Sequence, residues 1–317
     1  MIPVGGYFEL ELRKGVEYHD RAIQLNTGRN ALELILRTRK YSKVYIPYFT
    51  CDTILEPFNK LGIDYEYYSI NHEFEPVFDY KIIQADHGFL YTNYFGLKDS
   101  FINIIAKKVK NLIIDNAQSF FSSPLKKVDT FYSVRKFFGV SDGAYLYLNG
   151  IDKIDLPLDH SESRVTHLLK RIEYGAEKGY KYFKANDNNL IGQSIKRMSN
   201  LTQALLCNID YNFVIQKRRE NFLILNQKLS QYNELLFKLK TKSIPMIYPL
   251  LYNKPGIKQK LIEQKIFTPT YWPNVLKWTL EKSLEFKLTK EIIYLPIDQR
   301  YGIYEMENII KIITESY

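Results

Sequence analysis

The stretch LIIDNAQS, residues 112–119, decides how this chain is read. Leu112, Ile113 and Ile114 form a short continuous apolar run bounded by polar residues. That is the pattern of a strand buried on both faces. Asp115 stands where the strand ends. A second run, DTFYSVRK (129–136), reads as a strand over 130–133 and delivers Lys136 just beyond it. In parallel sheets, ligands bind outside the carboxyl ends of the strands. An acid and an amine at two such ends point to a pocket.

Outward from this stretch, the first half of the chain alternates strand and helix. RNALELILRTR (29–39) repeats apolar positions at Ala31, Leu32, Ile35 and Leu36, the stripe of an amphipathic helix. Residues 44–49 read as a strand, and 50–61 as a helix ended by Gly62. Further strands are expected at 65–70, 89–92 and 145–148, with a helix carrying Phe101, Ile104, Ile105 and Val109. Alternation at this spacing predicts an α/β fold: a mostly parallel sheet covered on both faces by helices. From about residue 161 the character changes. A charged helix is expected over 161–186, broken by the Asn/Asp-rich 186–189. A long helix over 200–231 follows, then a strand at 246–251, a helix at 255–265, a strand at 291–295 and a helix at 304–315. Residues 1–205 read as a large α/β domain and 206–317 as a smaller α+β domain.

Composition bounds the function. The 317 residues are 45% apolar, enough for a sizeable core. The 26 Tyr and 19 Phe, with many Lys, Asn and Ile, read as the signature of an AT-rich genome. The net charge of +9 is scattered, and its densest cluster, Lys107, Lys108 and Lys110, falls on a helix face. A nucleic-acid partner would need a contiguous basic patch, so none is expected. No apolar run approaches the ~18 residues of a membrane span. Cys51 and Cys207 are too few for a disulfide framework, and the five His lack metal-ligand spacing. No signal-peptide core follows the N-terminus. A reduced, cytoplasmic enzyme or binding protein is expected.

Three segments could build a cofactor pocket. TGRNA (27–31) opens the first helix, where Gly28 and Arg29 offer free backbone N–H groups to a phosphate. An ordinary capped helix start is the alternative. DNAQ (115–118) supplies Asp115, either a turn cap or a partner for a pyridine nitrogen, and Gln118 as a second cofactor contact. SVRK (133–136) supplies Ser133 for the phosphate and Lys136 as the amine; a surface Lys-Arg pair is the alternative. The flanking Phe137 and Phe138 favour a desolvated, reactive lysine. Arg135 cannot replace it, because its guanidinium stays protonated. Amine, acid and phosphate turn together meet the needs of pyridoxal 5'-phosphate (PLP). Cys51 reads as a reactive thiol or a small buried hydrophobe.

In this order the segments resemble the DegT/DnrJ/EryC1/StrS family of PLP-dependent sugar aminotransferases. TGRNAL (27–32) is similar to its phosphate turn, and IPYFTCDTILEPFNKLG (46–62) to its Pro-x-x-Thr helix. TNYFG (92–96) resembles its His-x-x-Gly strand end, IIDNAQS (113–119) its acid-Asp-x-Ala-Gln segment and KFFGVSDGA (136–144) its lysine segment. RMSNLTQA (197–204) and EIIYLPI (291–297) resemble its Arg-Met helix start and late Leu-Pro strand. The sequence departs from the pattern at Arg29 for Thr, Cys51 for a ring-stacking aromatic, Asn93 for His and Ile195 for Asn.

The resemblance implies a fold-type-I PLP architecture and a homodimer. It implies amino transfer, usually from glutamate, to a keto group on a nucleotide-linked sugar, with a role in cell-surface polysaccharide biosynthesis. By this likeness Lys136 and Asp115 are catalytic. Gly28, Arg29, Cys51, Gln118 and Ser133 join them around the cofactor. Asn93, Tyr94 and Arg135 are candidate substrate contacts. Two alternatives stay open: a binding or regulatory protein on the same fold without turnover, and another PLP enzyme acting on a small carbonyl compound.

Overall fold

The computed structural model describes residues 4–237 and 239–315. Chain order gives β1 (Ile23–Leu25), α1 (Gly28–Arg39), β2 (Lys43–Pro47), α2 (Leu55–Leu61), β3 (Asp64–Ile70), β4 (Pro76–Val77) and β5 (His87–Thr92). Then come α3 (Asp99–Ile105), β6 (Leu112–Asp115), β7 (Asp129–Ser133) and β8 (Ala144–Tyr147). The strands form one eight-stranded sheet in the order β1-β8-β7-β6-β5-β2-β3-β4. Its centre, β7 through β3, is parallel, while β8, β1 and β4 add antiparallel pairs at the edges.

Side chains alternate across this sheet, and the two faces differ in kind. Val44, Ile46, Leu90, Ile113 and Leu146 pack with Leu32 and Ile35 of α1 and Phe58 of α2. The opposite face is aromatic, carrying Tyr45, Phe89, Tyr91, Tyr132 and Tyr145. Its buried tyrosines bond backbone carbonyls: Tyr68 OH donates to Leu90 O at 2.7 Å and Tyr91 OH to Phe74 O at 3.0 Å. Part of the high tyrosine content is therefore core, and these hydroxyls are satisfied as burial requires.

The second half continues from this aromatic face. It contains α4 (Thr166–Tyr174), α5 (Ala176–Asn189), α6 (Asn200–Cys207), α7 (Tyr211–Leu229), β9 (Ile247–Leu251), α8 (Ile257–Glu263), α9 (Val275–Trp278), α10 (Leu284–Glu291), β10 (Ile292–Pro296) and α11 (Ile303–Thr314). β9 and β10 pair antiparallel as a separate ladder. Phe222 and Leu225 of α7, Leu250 of β9, Leu295 of β10 and Ile309 of α11 share one apolar cluster with Tyr45 and Tyr132 of the main sheet.

Helix ends differ from the periodic reading where the backbone turns. The helix expected over 161–186 breaks at Gly175, whose φ of 84° and ψ of 177° lie outside helical space, and α4 and α5 fold into a hairpin. The helix expected over 200–231 is two helices, because Asp210 starts α7 by accepting from Phe213 N at 3.0 Å. Residues 52–54 form a 3-10 turn, and α2 begins only at Leu55.

The segment before β1 is fastened by His19. Its Nε2–H donates to Phe120 O at 2.7 Å, so Nδ1 accepts from Tyr147 OH at 3.1 Å. Burial pulls its pKa down from 6.5 to about 4, against the Phe120 carbonyl and Asp20. The unfolded chain protonates this ring near its ordinary value while the folded chain keeps it neutral. Its contribution is complete above pH 6.5 and is lost as pH falls toward 4. Unfolding free energy should therefore drop between pH 7 and pH 4.5 by about 2.5 kcal/mol more in wild type than in His19→Gln. Denaturant titrations with equal pH slopes would contradict this.

Candidate active site

Three carboxyl ends of strands open on one edge of the sheet. β6 and β7 pair in parallel, with Asp115 opposite Phe131. β1 is antiparallel to β8, which is antiparallel to β7, so β1 runs with β7 and hands the chain to α1 at that edge. A cavity of about 670 Å³ lies there, lined among others by Gly28, Arg29, Cys51, Asp115, Ser133 and Lys136.

Lys136 closes a 3-10 turn, Val134–Lys136, directly after β7. The turn is held on both sides. Buried Val134 packs where a Cβ on Gly143 (φ 119°) would collide with it. Phe137 lies under the buried Arg218 guanidinium at 4.5 Å, and its carbonyl accepts from Gln299 Nε2 at 3.0 Å. The Lys136 amine lines the cavity with no hydrogen-bond or ion-pair partner among the described residues. Gly143→Ala should displace this turn and destabilise the fold by about 2 kcal/mol. A melting temperature within 1 °C of wild type would contradict that.

Asp115 Oδ1 accepts from Ala117 N at 2.8 Å. Burial raises its pKa above the ordinary carboxylate value, while the Lys136 cation and the Ala117 N–H draw it back. The Lys136 charge thus reaches the part-buried Asp115 across the cavity, but Lys136 itself is exposed, so the desolvation expected from Phe137 and Phe138 is not met: the two rings turn into the core and leave the amine in the open cavity.

At the start of α1, Thr27 Oγ1 accepts from Asn30 N at 3.1 Å. The N–H groups of Gly28 and Arg29 have no intrahelical acceptor. Ser133 stands beside this helix start, its Cβ 4.0 Å from where a Gly28 Cβ would lie. The Arg29 side chain turns away to Glu56 at 2.8 Å. Cys51 and Ala117 both line the cavity, and Cys51 Sγ accepts from Thr53 Oγ1 at 3.2 Å. Arg135 is also in the wall, paired with Asp187 at 2.5 Å and lying over the Phe183 ring at 5.8 Å.

Other expected contacts lie outside this lining. Gln118 is buried, and its Oε1 accepts from Phe95 N at 3.2 Å. Asn93 Nδ2 donates to Asp99 Oδ1 and Asn116 Oδ1 at 2.8 and 3.0 Å, and its Oδ1 accepts from Lys98 N, so the amide is spent on structure. Tyr94 is buried with its hydroxyl on Phe49 O at 3.0 Å. The wall that sequence reasoning missed is α5, which contributes Phe183, Lys184, Asp187 and Asn188. Their helical i, i+4 spacing was the available signal.

Among the described residues, no helix is long and apolar enough to cross a membrane, and no group of three or more His, Cys, Asp or Glu could hold a metal ion. No family model and no curated protein matches the chain by sequence. Solved structures do. A DegT DnrJ EryC1 StrS aminotransferase from Brucella abortus superposes with a TM-score of 0.63 at 16% identity, over 93% of this chain and 85% of its own. The sugar aminotransferase CalS13 from Micromonospora echinospora gives 0.61 at 14% identity, over 94% and 88%. NtdA from Bacillus subtilis, solved with bound cofactor PMP, gives 0.66 at 17% identity, over 93% and 72%. The chain thus has the fold of these proteins, the fold-type-I architecture expected from its sequence.

Proposed function

We propose that this chain is a PLP-dependent aminotransferase of the DegT/DnrJ/EryC1/StrS kind, moving an amino group from glutamate to a keto group on a nucleotide-linked sugar. The observation that carries this is an exposed lysine amine, without a hydrogen-bond or ion-pair partner among the described residues, and a part-buried carboxyl lining one cavity whose rim is a helix N-terminus. The donor set fits PLP: an amine for its aldehyde, an acid for its ring nitrogen, and free N–H groups with a serine for its phosphate. Sugar aminotransferases and a PMP-bound protein among the structures of the same fold support the reading.

Bound PLP supplies an electron sink conjugated to the carbon that gives up or receives the amino group. The residues of this chain do the rest. Gly28 and Arg29 hold the phosphate through their N–H groups, with Ser133 Oγ beside them. Asp115, part-buried at the end of β6, would hold the ring nitrogen protonated. Lys136 Nζ carries a proton from the donor's α-carbon as general base and returns one to the acceptor. Arg135, neutralised by Asp187, shapes the wall beside Lys136. Cys51 and Ala117 offer a thiol and a methyl as flanking surfaces, where a stacked aromatic would add more dispersion.

We further propose a cytoplasmic homodimer. Leu169, Ile172, Tyr174 and Tyr180 of the α4–α5 hairpin are exposed, an apolar set suited to a second copy. The test of the activity is a half-reaction. Protein loaded with PLP and mixed with L-glutamate should release close to one 2-oxoglutarate per chain before any acceptor is added. PLP bound with no 2-oxoglutarate from glutamate or other amino donors would favour a binding protein without turnover.

A further inference from the structure

The stretch between α5 and α6 is stitched onto the β1–α1 turn. Asn30 Nδ2 donates to Gln193 O at 3.2 Å and Ser194 O at 2.5 Å. Asn26 Nδ2 donates to Ser194 O at 3.0 Å, and Asn26 N to Lys196 O at 3.0 Å. Leu190 and Ile191, at the start of this stretch, line the cavity with Gly28 and Arg29. One charged link crosses from the other side. Arg29 Nη1 donates to Glu56 Oε2 at 2.8 Å, and the second carboxyl oxygen, Oε1, accepts from Gly192 N at 2.9 Å. Glu56 thus bridges α1 to the wall with both oxygens in use. The Arg29 and Glu56 side chains are only 15% and 23% exposed. Turning the guanidinium toward another anion would leave a part-buried carboxylate unpaired, which is costly.

We propose that Arg29 and Glu56 form a clasp that positions the 190–194 stretch as a wall over the phosphate end of the cavity, and that the Arg29 guanidinium is not itself a phosphate ligand. This rests on the PLP reading above. The wall keeps water from the first turn of α1, where exclusion of solvent strengthens the attraction between helix N-terminus and anion. Glu56 is a positioning residue: it acts on the phosphate through Gly192 and its neighbours.

The test is a double-variant cycle on PLP affinity, read by absorbance titration, with pyridoxal as the probe that lacks the phosphate. Arg29→Met and Glu56→Gln should each weaken PLP about tenfold. The double variant should be within about threefold of the weaker single, because both remove one link. Pyridoxal affinity should change less than about threefold in all of them. Four results would overturn the clasp. Arg29→Met weakening PLP while Glu56→Gln leaves it unchanged or tighter makes Arg29 a direct ligand. Equal losses for pyridoxal and PLP make the pair a general structural prop. Unchanged PLP affinity in both singles removes any role. A wild-type chain that binds neither compound overturns the functional reading and the clasp with it.

Discussion

Lys136→Ala should slow the glutamate half-reaction by about 10⁴-fold or more, since it removes both the cofactor's amine partner and the base that moves the proton. The other side chains of the cavity cannot stand in. Arg29 and Arg135 are tied to Glu56 and Asp187, and a guanidinium does not give up its proton at neutral pH. Lys184 lines the cavity from α5 and not from the turn that follows β7. For the same reason Lys136→Arg should be as inactive as Lys136→Ala. The check is single-turnover release of 2-oxoglutarate from PLP-saturated protein. A variant retaining a tenth of the wild-type rate would show that Lys136 does not carry the chemistry.

Asp115→Asn should be the next most damaging change, with a rate loss of about 10²–10³-fold and PLP affinity altered by less than about tenfold. The amide keeps the shape and the acceptor for Ala117 N–H but loses the charge that holds the ring nitrogen protonated. The pH dependence separates this from simple misfolding. Burial raises the Asp115 pKa and Lys136 lowers it. Activity that needs the ionised carboxylate therefore rises with pH through a value above the ordinary carboxylate range. That acid limb should vanish in Asp115→Asn. In Lys136→Ala the Asp115 pKa should move further up, because its stabilising cation is gone. An unchanged acid limb in Asp115→Asn would assign the titration to another group.

The parts of the site legible in the sequence are those fixed by strand ends. A continuous apolar run followed by a polar residue reveals where a parallel strand stops, and so Asp115, Ser133 and Lys136 could be named from the sequence, while Gly28 was named from the opening of the first helix. Arg135 and Cys51 come with them as neighbours in the chain, and all six line the cavity. What was not legible depends on which polar groups the fold claims for itself. Asn93, Gln118 and Tyr94 also lie near strand ends, yet Asn116, Phe95 and Phe49 engage them in buried hydrogen bonds. No local pattern distinguishes a side chain satisfied by its own fold from one left for a ligand. The α5 wall was hidden for a different reason. Asp187 and Asn188 fall in the Asn/Asp-rich stretch read as a helix break, yet α5 runs on to Asn189 and carries both into the cavity wall. The aromatic content, read only as composition, supplies part of the core: Tyr68, Tyr91 and Tyr132 of the main sheet are buried and bonded through their hydroxyls.

Borohydride reduction of the PLP-loaded protein, followed by peptide mapping, tests most directly the claim that Lys136 meets the cofactor. The expected result is one cofactor-derived mass per chain, on the peptide that contains Lys136. The same mass on the peptide carrying Lys184, which shares the cavity, or no covalent mass at all, would contradict it.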